Sequence, residues 1–545
     1  MEDVTTILIL LLGVVLSGFL VRISPVPLPL PILQIALGAL LAYALGLGVN
    51  LNPELFFLLL LPPLLFLDGW RIPKRGLFRD ATTIVELALG LVIFTVLGVG
   101  LLIHWMIPAM PLAVAFALAA VLSPTDPIAV SAVAARVPIP PRLMHILEGE
   151  SLLNDASGLV CLRFAIAAAL TGSFSLSSAM LTFLTLAAGG LAIGAALTWG
   201  IMRAQRALVH RIGEDPGGQT LISLLIPFGA YLAAEHVHVS GILAAVAAGV
   251  TMSYTENSGR ALAATRIRRT AVWDTIQFAA NGIIFVLLGE QLPGILDGAA
   301  ATVRQTGHHH AGWLPVYVVA IVLALALLRL AWVWASLQFT LYRAARKGEP
   351  RPRVSWRVLV AASLGGVRGA ITLAGILTLP LAMPDGSPFP ARDLAIFLAM
   401  GVILVSLVLA SLALPPVLRG LQLPPEDGHA REEDLARNAA AAAAVREIRR
   451  LQQQMGTGAE EVEEYTEAAA RSLEPYRLRA GEVQQDLEDI ARTRRVLELE
   501  RIFRLTALRA ERDELYRLRR ARTIADDTLH ELVREIDLSE ARLAQ

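Results

Sequence analysis

Cysteine occurs once in the 545 residues, at Cys161, which excludes a disulfide framework and a cysteine-based metal site. Its expected place is a packing position inside an apolar run. Charge is scarce as well. Asp, Glu, Lys and Arg make up 17% of the chain, against about 25% in an ordinary soluble domain. Acidic and basic residues balance at 47 each, so there is no surplus of positive charge to attract nucleic acid. No Walker loop, dinucleotide fingerprint or nucleophile elbow occurs, which leaves ATP hydrolysis, cofactor chemistry and covalent enzyme catalysis without support. The opening Met1-Glu2-Asp3 lacks the basic n-region of a signal peptide, so Thr5 to Val21 is expected to remain as a first span. No lipidation signal is found.

What the chain has is apolar length. Hydrophobic residues reach 55% and the mean hydropathy is +0.59, the composition of an all-α polytopic membrane protein. A span needs about 20 apolar residues. On that criterion thirteen are expected, at 5–21, 27–46, 54–69, 81–105, 112–135, 143–170, 178–201, 218–235, 238–255, 272–291, 313–340, 358–381 and 394–417. The softest division falls at Glu235-His236-Val237-His238, where two short spans could equally be one irregular hairpin. Alternate loops collect the basic residues: Arg22; Arg71, Lys74, Arg75 and Arg79; Arg136 and Arg142; Arg203, Arg206 and Arg211; Arg260, Arg266, Arg268 and Arg269; then Arg343 through Arg357. The remaining loops hold little beyond Arg304 and Arg392. This asymmetry predicts an N-terminus outside, a C-terminus in the cytoplasm and an odd number of spans.

Two domains follow: a transmembrane domain over 1–420 and a cytoplasmic helical tail over 425–545. The formal charge is roughly +6 before residue 425 and about −6 after it. In the tail an alanine-rich helix over Glu432 to Gln454 is broken by Gly456 and Gly458. Helical periodicity resumes from Glu482 to about Leu518, with Val483, Leu487, Ile490, Leu497, Leu505, Leu508 and Leu515 on one face. A solvated hairpin and a dimerisation or regulatory module both fit that pattern.

Polar residues inside the spans carry the chemistry. The fifth span contains Ser123-Pro124-Thr125-Asp126-Pro127 and the sixth Glu150-Ser151-Leu152-Leu153-Asn154-Asp155. Each mid-bilayer carboxylate costs roughly 2.5–3.5 kcal/mol on insertion scales unless paired or hydrated. Pro124 and Pro127 should break their helix and free the carbonyls of Ala120 and Ser123. Broken backbone is tolerated in a membrane only where it is buried in protein or faces water. Thr125 and Asp126 beside it offer hydroxyl, carboxylate and carbonyl oxygens, a set suited to a small hard cation such as sodium. In the next helix Ser151 and Asp155 share one face, and Glu150 and Asn154 share another turned by about 100°. Ser151 and Asp155 are therefore expected on the ion path, with Glu150 facing a buried cation of the protein. Arg368, in Gly365-Gly366-Val367-Arg368-Gly369 of the twelfth span, is the expected partner of Glu150. Arg329 makes the same demand, with Asp68 or Glu86 available. Two interrupted helices seven spans apart also match the inverted repeats of secondary transporters. His308-His309-His310 in a loop does not form a metal site, because consecutive histidines do not share a face.

Ser123-Pro124-Thr125-Asp126-Pro127, Gly149-Glu150-Ser151-Leu152-Leu153-Asn154-Asp155, Gly365-Gly366-Val367-Arg368-Gly369-Ala370 and Leu61-Pro62-Pro63-Leu64-Leu65-Phe66-Leu67-Asp68-Gly69 together resemble the motifs of the monovalent cation:proton antiporter family, which contains the sodium/proton exchangers. The resemblance spans about residues 5–420. It implies an inverted-repeat fold with crossed discontinuous helices, a homodimer in the lipid membrane, and a sodium site at Asp155 with Thr125 and Ser151 as ligands and Asn154 adjacent. It also implies a structural charge network of Asp126, Glu150 and Arg368. The Asn154-Asp155 pair resembles the electroneutral branch, which exchanges one cation for one proton. Lithium and potassium are further candidate cations. The alternatives are a carrier or channel for another solute on the same scaffold, and a non-transporting scaffold whose active part is the tail. A bacterial inner membrane is the expected location.

Overall fold

A computed structural model of the chain describes residues 2–419 apart from 24–28, 46–52, 72–80, 127–140, 173–175, 214, 257–262, 306–311 and 347–354. In the tail it describes stretches within 439–453, 503–518 and 532–540. The chain forms two compact units, Met1–Gln422 and Leu423–Gln545. Among the described residues of the second unit, 442–450, 503–508 and 510–518 are helical, while most of the segment expected to begin at Glu482 lies outside them.

The first unit is built of helices. We number them α1 (Glu2–Ile23), α2 (Leu30–Leu45), α3 (Pro53–Arg71), α4 (Ala81–Met106), α5 (Leu112–Leu122), α6 (Pro141–Thr171), α7 (Leu176–Ile212), α8 (Pro216–His236), α9 (Gly241–Glu256), α10 (Ala263–Gln305), α11 (Trp313–Arg346), α12 (Trp356–Leu364), α13 (Ala370–Leu377) and α14 (Arg392–Arg419). Among the described residues the isolated β-bridge is Ala382 with Pro388. Among the described residues eight helices are long and apolar enough to cross a membrane, and Leu30–Ala44, Leu112–Leu122 and Gly241–Thr255 are shorter apolar ones.

Every apolar stretch read from the sequence overlaps a helix, but the boundaries differ for physical reasons. Helices α7 and α10 run to 37 and 43 residues, well past the apolar windows, because a helix continues into polar sequence that hydropathy does not mark. The ambiguous Glu235–His238 segment is a tight hairpin: α8 ends at His236, His238 takes a left-handed φ of 57°, and α9 starts at Gly241. Helix α4 contains a π-helical turn over Glu86–Leu91, a feature the pattern of apolar residues does not reveal. Gly90 in that turn lies against the Trp332 indole of α11, and a side chain there would overlap the ring.

The helices pack in two sets, and α10 also packs on α14 across them. In one, α2 packs on α10, α3 on α9, and α7 and α8 on α9. In the other, α5 packs between α4 and α6, α13 packs on α5 and α14, and α11 packs on α4, α12 and α14. Glycines set the closest crossings of the first group. A Cβ on Gly289 would overlap the Ile35 carbonyl of α2, and one on Gly38 would overlap the Val286 carbonyl of α10. Gly69 and Gly249 are related in the same reciprocal way across α3 and α9. Between helices in lipid there is no hydrophobic drive, so close backbone approach through small residues supplies the packing.

Gly289→Val should therefore lower the melting temperature of the detergent-solubilised protein by several degrees, since overpacking a close contact costs about 1–3 kcal/mol. Unchanged melting would show that α2 and α10 do not cross through Gly289.

Candidate functional site

Helix α5 stops at Leu122, and Pro124, Thr125 and Asp126 follow in non-helical backbone. The carbonyl of Ala120, which Pro124 cannot engage, accepts instead from Ser123 Oγ at 2.9 Å. Pro127, the second expected break, lies outside the described residues. The twelfth stretch is broken as well, with α12 ending at Leu364 and α13 beginning at Ala370. The two interruptions meet: the Asp126 N–H donates to the Val367 carbonyl at 2.7 Å. Side-chain-free positions make this approach possible. A Cβ on Gly369 would overlap the Asp126 carboxylate, and one on Gly158 of α6 would overlap the Pro124 ring.

Two buried arginines hold the crossing. Arg329 of α11 donates to Glu150 through both terminal nitrogens, at 2.5 Å to Oε1 and 2.7 Å to Oε2, and through Nε to the Ala362 carbonyl at 2.9 Å. Arg368 Nε donates to the Leu122 carbonyl at the end of α5 at 2.8 Å, and its Nη1 donates to the Gly366 carbonyl. The Arg368 N–H donates to Ser406 Oγ of α14 at 3.3 Å. The pairing expected from sequence is thereby corrected. Glu150 belongs to Arg329 rather than Arg368, and Arg329 engages neither Asp68 nor Glu86. Arg368 donates to broken backbone at Leu122 and Gly366. The reason is steric: a Cβ on Gly366 would lie 2.7 Å from Arg329 Cδ, so the glycine of the break opens the approach of Arg329 to Glu150. Glu86 instead accepts from Ser336 Oγ at 2.9 Å.

Glu150 also organises the neighbouring polar groups. Thr125 Oγ1 donates to Glu150 Oε1 at 3.4 Å, and the Asn154 amide donates to Thr125 Oγ1 at 3.1 Å and to Glu150 Oε1 at 3.5 Å. Asn154 is a donor in both contacts, a role an ionised aspartate could not fill.

Beside this network lies a cavity of ≈ 30 Å³ lined by Leu64, Asp68, Pro124, Thr125, Asp126, Ser151, Asp155, Asn281, Gly369, Ile371 and Thr372. It has room for about one or two water-sized occupants. Thr125, Ser151 and Asp155 are all under 5% exposed. The sequence-expected face of α6 thus borders the same space as the broken segment of the fifth span. Asp68, expected in an ion pair, is a wall of the cavity instead. The cavity sits between the helix groups, with Leu64, Asp68 and Asn281 from the first and the other lining residues from the second. Asn281 and Thr372 were not singled out from sequence. A lone amide in the apolar run from Ala279 to Leu288 was the signal for the former. Among the described residues the cavity presents three carboxylates, hydroxyls and an amide, and no basic side chain lines it. That chemistry suits a small cation.

Residues 7–420 match the family model described as "Sodium/hydrogen exchanger, transmembrane". The chain belongs to the sodium/hydrogen exchanger family. Members of this family are transporters, and the chain is an integral membrane protein. It is 43% identical, over the full length of both chains, to YjcE, an uncharacterised Na+/H+ exchanger of Escherichia coli (strain K12). It is 44% identical to the sodium, potassium, lithium and rubidium/H+ antiporter of Bacillus pumilus (strain SAFR-032), over 76% of this chain and 61% of that one. The fold is similar to the sodium proton antiporter MjNhaP1 of Methanocaldococcus jannaschii at pH 8, with a TM-score of 0.59, 19% identity, and coverage of 77% of this chain and 99% of that one.

Removing one partner of the buried Glu150–Arg329 pair should cost about 3–5 kcal/mol. Glu150→Gln and Arg329→Met should each lower the melting temperature sharply, and the double variant should lose clearly less than the sum of the two. Additive losses would show that the two side chains are not coupled.

Proposed function

We propose that this chain is a secondary antiporter that exchanges sodium for protons by competition at Asp155, with Thr125 and Ser151 as further cation ligands. The observation that carries the reading is the cavity between two helix groups: among the described residues three carboxylates and three hydroxyls line it, and no basic side chain does. A carboxylate in such a space holds a cation or a proton, since either neutralises it and both together are redundant. Sliding one helix group against the other would expose the occupied site to each side of the membrane in turn.

Asn154 supports an electroneutral cycle. It cannot titrate, and its amide is committed to Thr125 and Glu150. One carboxylate that trades one cation for one proton moves no net charge. The cation range extends beyond sodium in this reading, because the relatives named as sodium, potassium, lithium and rubidium/H+ antiporters are 42–44% identical over 76% of the chain. The basic residues of alternate loops support an N-terminus outside and the tail in the cytoplasm. We place the protein in a bacterial inner membrane as a homodimer in lipid, on the family resemblance.

In proteoliposomes with an internal pH dye, sodium should drive proton movement, and lithium and potassium should compete with it. The apparent KM for sodium should rise as pH falls, because protons occupy the same carboxylate. Asp155→Asn should abolish the exchange while leaving a folded protein by size-exclusion chromatography. Appreciable sodium-dependent proton flux in that variant would overturn the assignment. A potassium/valinomycin potential should leave the rate unchanged. A rate that follows the sign of the potential would mean that a second charge moves, with Asp126 or Asp68 as its carrier.

A further inference from the structure

Asn281 projects from α10 into the cavity wall opposite Asp155's helix group, in company with Asp68 of α3. Its Oδ1 is sealed from solvent and has no hydrogen-bond partner among the described residues. A buried amide oxygen left without a donor is costly in any protein, and few native side chains tolerate it. Gly282 beside it packs on Val14 of α1. An amide oxygen is a good ligand for a hard cation, and Asn281 lines a space already lined by the carboxylates of Asp68, Asp126 and Asp155.

We propose that the Asn281 carbonyl oxygen is a cation ligand contributed by the helix group that does not carry Asp155, and that it sets the balance between sodium and protons. The inference rests on the exchange reading given above and deepens it. Its physical content lies in what an amide cannot do. Asn281 does not titrate, so its oxygen adds to the affinity for a metal cation without adding to the affinity of Asp155 for a proton. It also belongs to the opposite wall, so the contact exists only while the two groups are placed as they are here, and it is lost when they slide. Asn281 thereby favours cation capture in one orientation and cation release in the other.

The test is the apparent KM for sodium over a range of pH in proteoliposomes, for the wild type, Asn281→Ala and Asn281→Ser. Removing the oxygen should raise the limiting KM at high pH by about ten-fold. The maximal rate should stay within about two-fold, and the pH at which KM begins to climb should not move, because the proton site is untouched. Asn281→Ser keeps an oxygen on a shorter arm and should fall between the two. An unchanged limiting KM in a folded Asn281→Ala protein overturns the proposal. So does a break in the pH profile that shifts with KM, since Asn281 would then act through Asp155. If Asn281→Ala does not fold, Asn281→Ser decides alone: a raised KM with an unmoved break supports the ligand role, and a wild-type profile overturns it. Absence of sodium-driven proton flux in the wild type would sink the exchange reading itself, which separates the two failures.

Discussion

A helix interrupted inside a membrane leaves carbonyl and N–H groups that neither lipid nor the helix can satisfy. In this protein two interrupted stretches cross, and nearly every other feature of the site depends on how their loose ends are paired. One N–H of the first break reaches a carbonyl of the second directly, Asp126 to Val367. The carbonyls of Leu122, Gly366 and Ala362 accept from guanidinium groups. Arginine fits this task because it carries five donors in a fixed plane and keeps its charge when buried. The charge then needs an anion. Glu150 answers for Arg329, and in doing so becomes the acceptor around which Thr125 and Asn154 are arranged.

That arrangement separates two kinds of buried carboxylate. Glu150 is covered on both oxygens by Arg329 and is committed to structure. Asp155 lies five residues further on, in a cavity wall with no basic side chain among its described lining residues. The hundred-degree turn between neighbouring residues of α6 is what allows Glu150 and Asp155 such different surroundings. Because α3 and α10 supply one wall and the broken stretches with α6 supply the other, the site is complete only where the two helix groups face each other. In the exchange reading, this division lets a local event at one carboxylate be coupled to movement of whole helices.

Much of this was legible in the chain. The proline pair, the glycines around Arg368 and the carboxylates within apolar runs marked the interrupted helices, because lipid makes such residues expensive and therefore purposeful. The four-residue spacing on α6 separated the Ser151–Asp155 face from the Glu150–Asn154 face. The partners of the arginines were not legible. Sequence shows that a buried guanidinium needs a carboxylate, but which one it reaches is decided by the clearance at Gly366, a tertiary fact. Asp68 was drawn into an imagined ion pair by the same gap. The π-turn over Glu86–Leu91, where Gly90 lies against Trp332, leaves no periodic trace. Asn281 was overlooked because one amide in an apolar helix reads as a tolerated exception until its neighbours are known.

The central claim is that a metal cation and a proton exclude one another at Asp155. Proton release by the purified protein in weakly buffered detergent solution tests it without any vesicle. Adding sodium should release about one proton per protomer in a saturable way, and Asp155→Asn should release none, while choline should be silent with both. Sodium bound without proton release at any pH, or release that persists undiminished in Asp155→Asn, would contradict competition at this carboxylate.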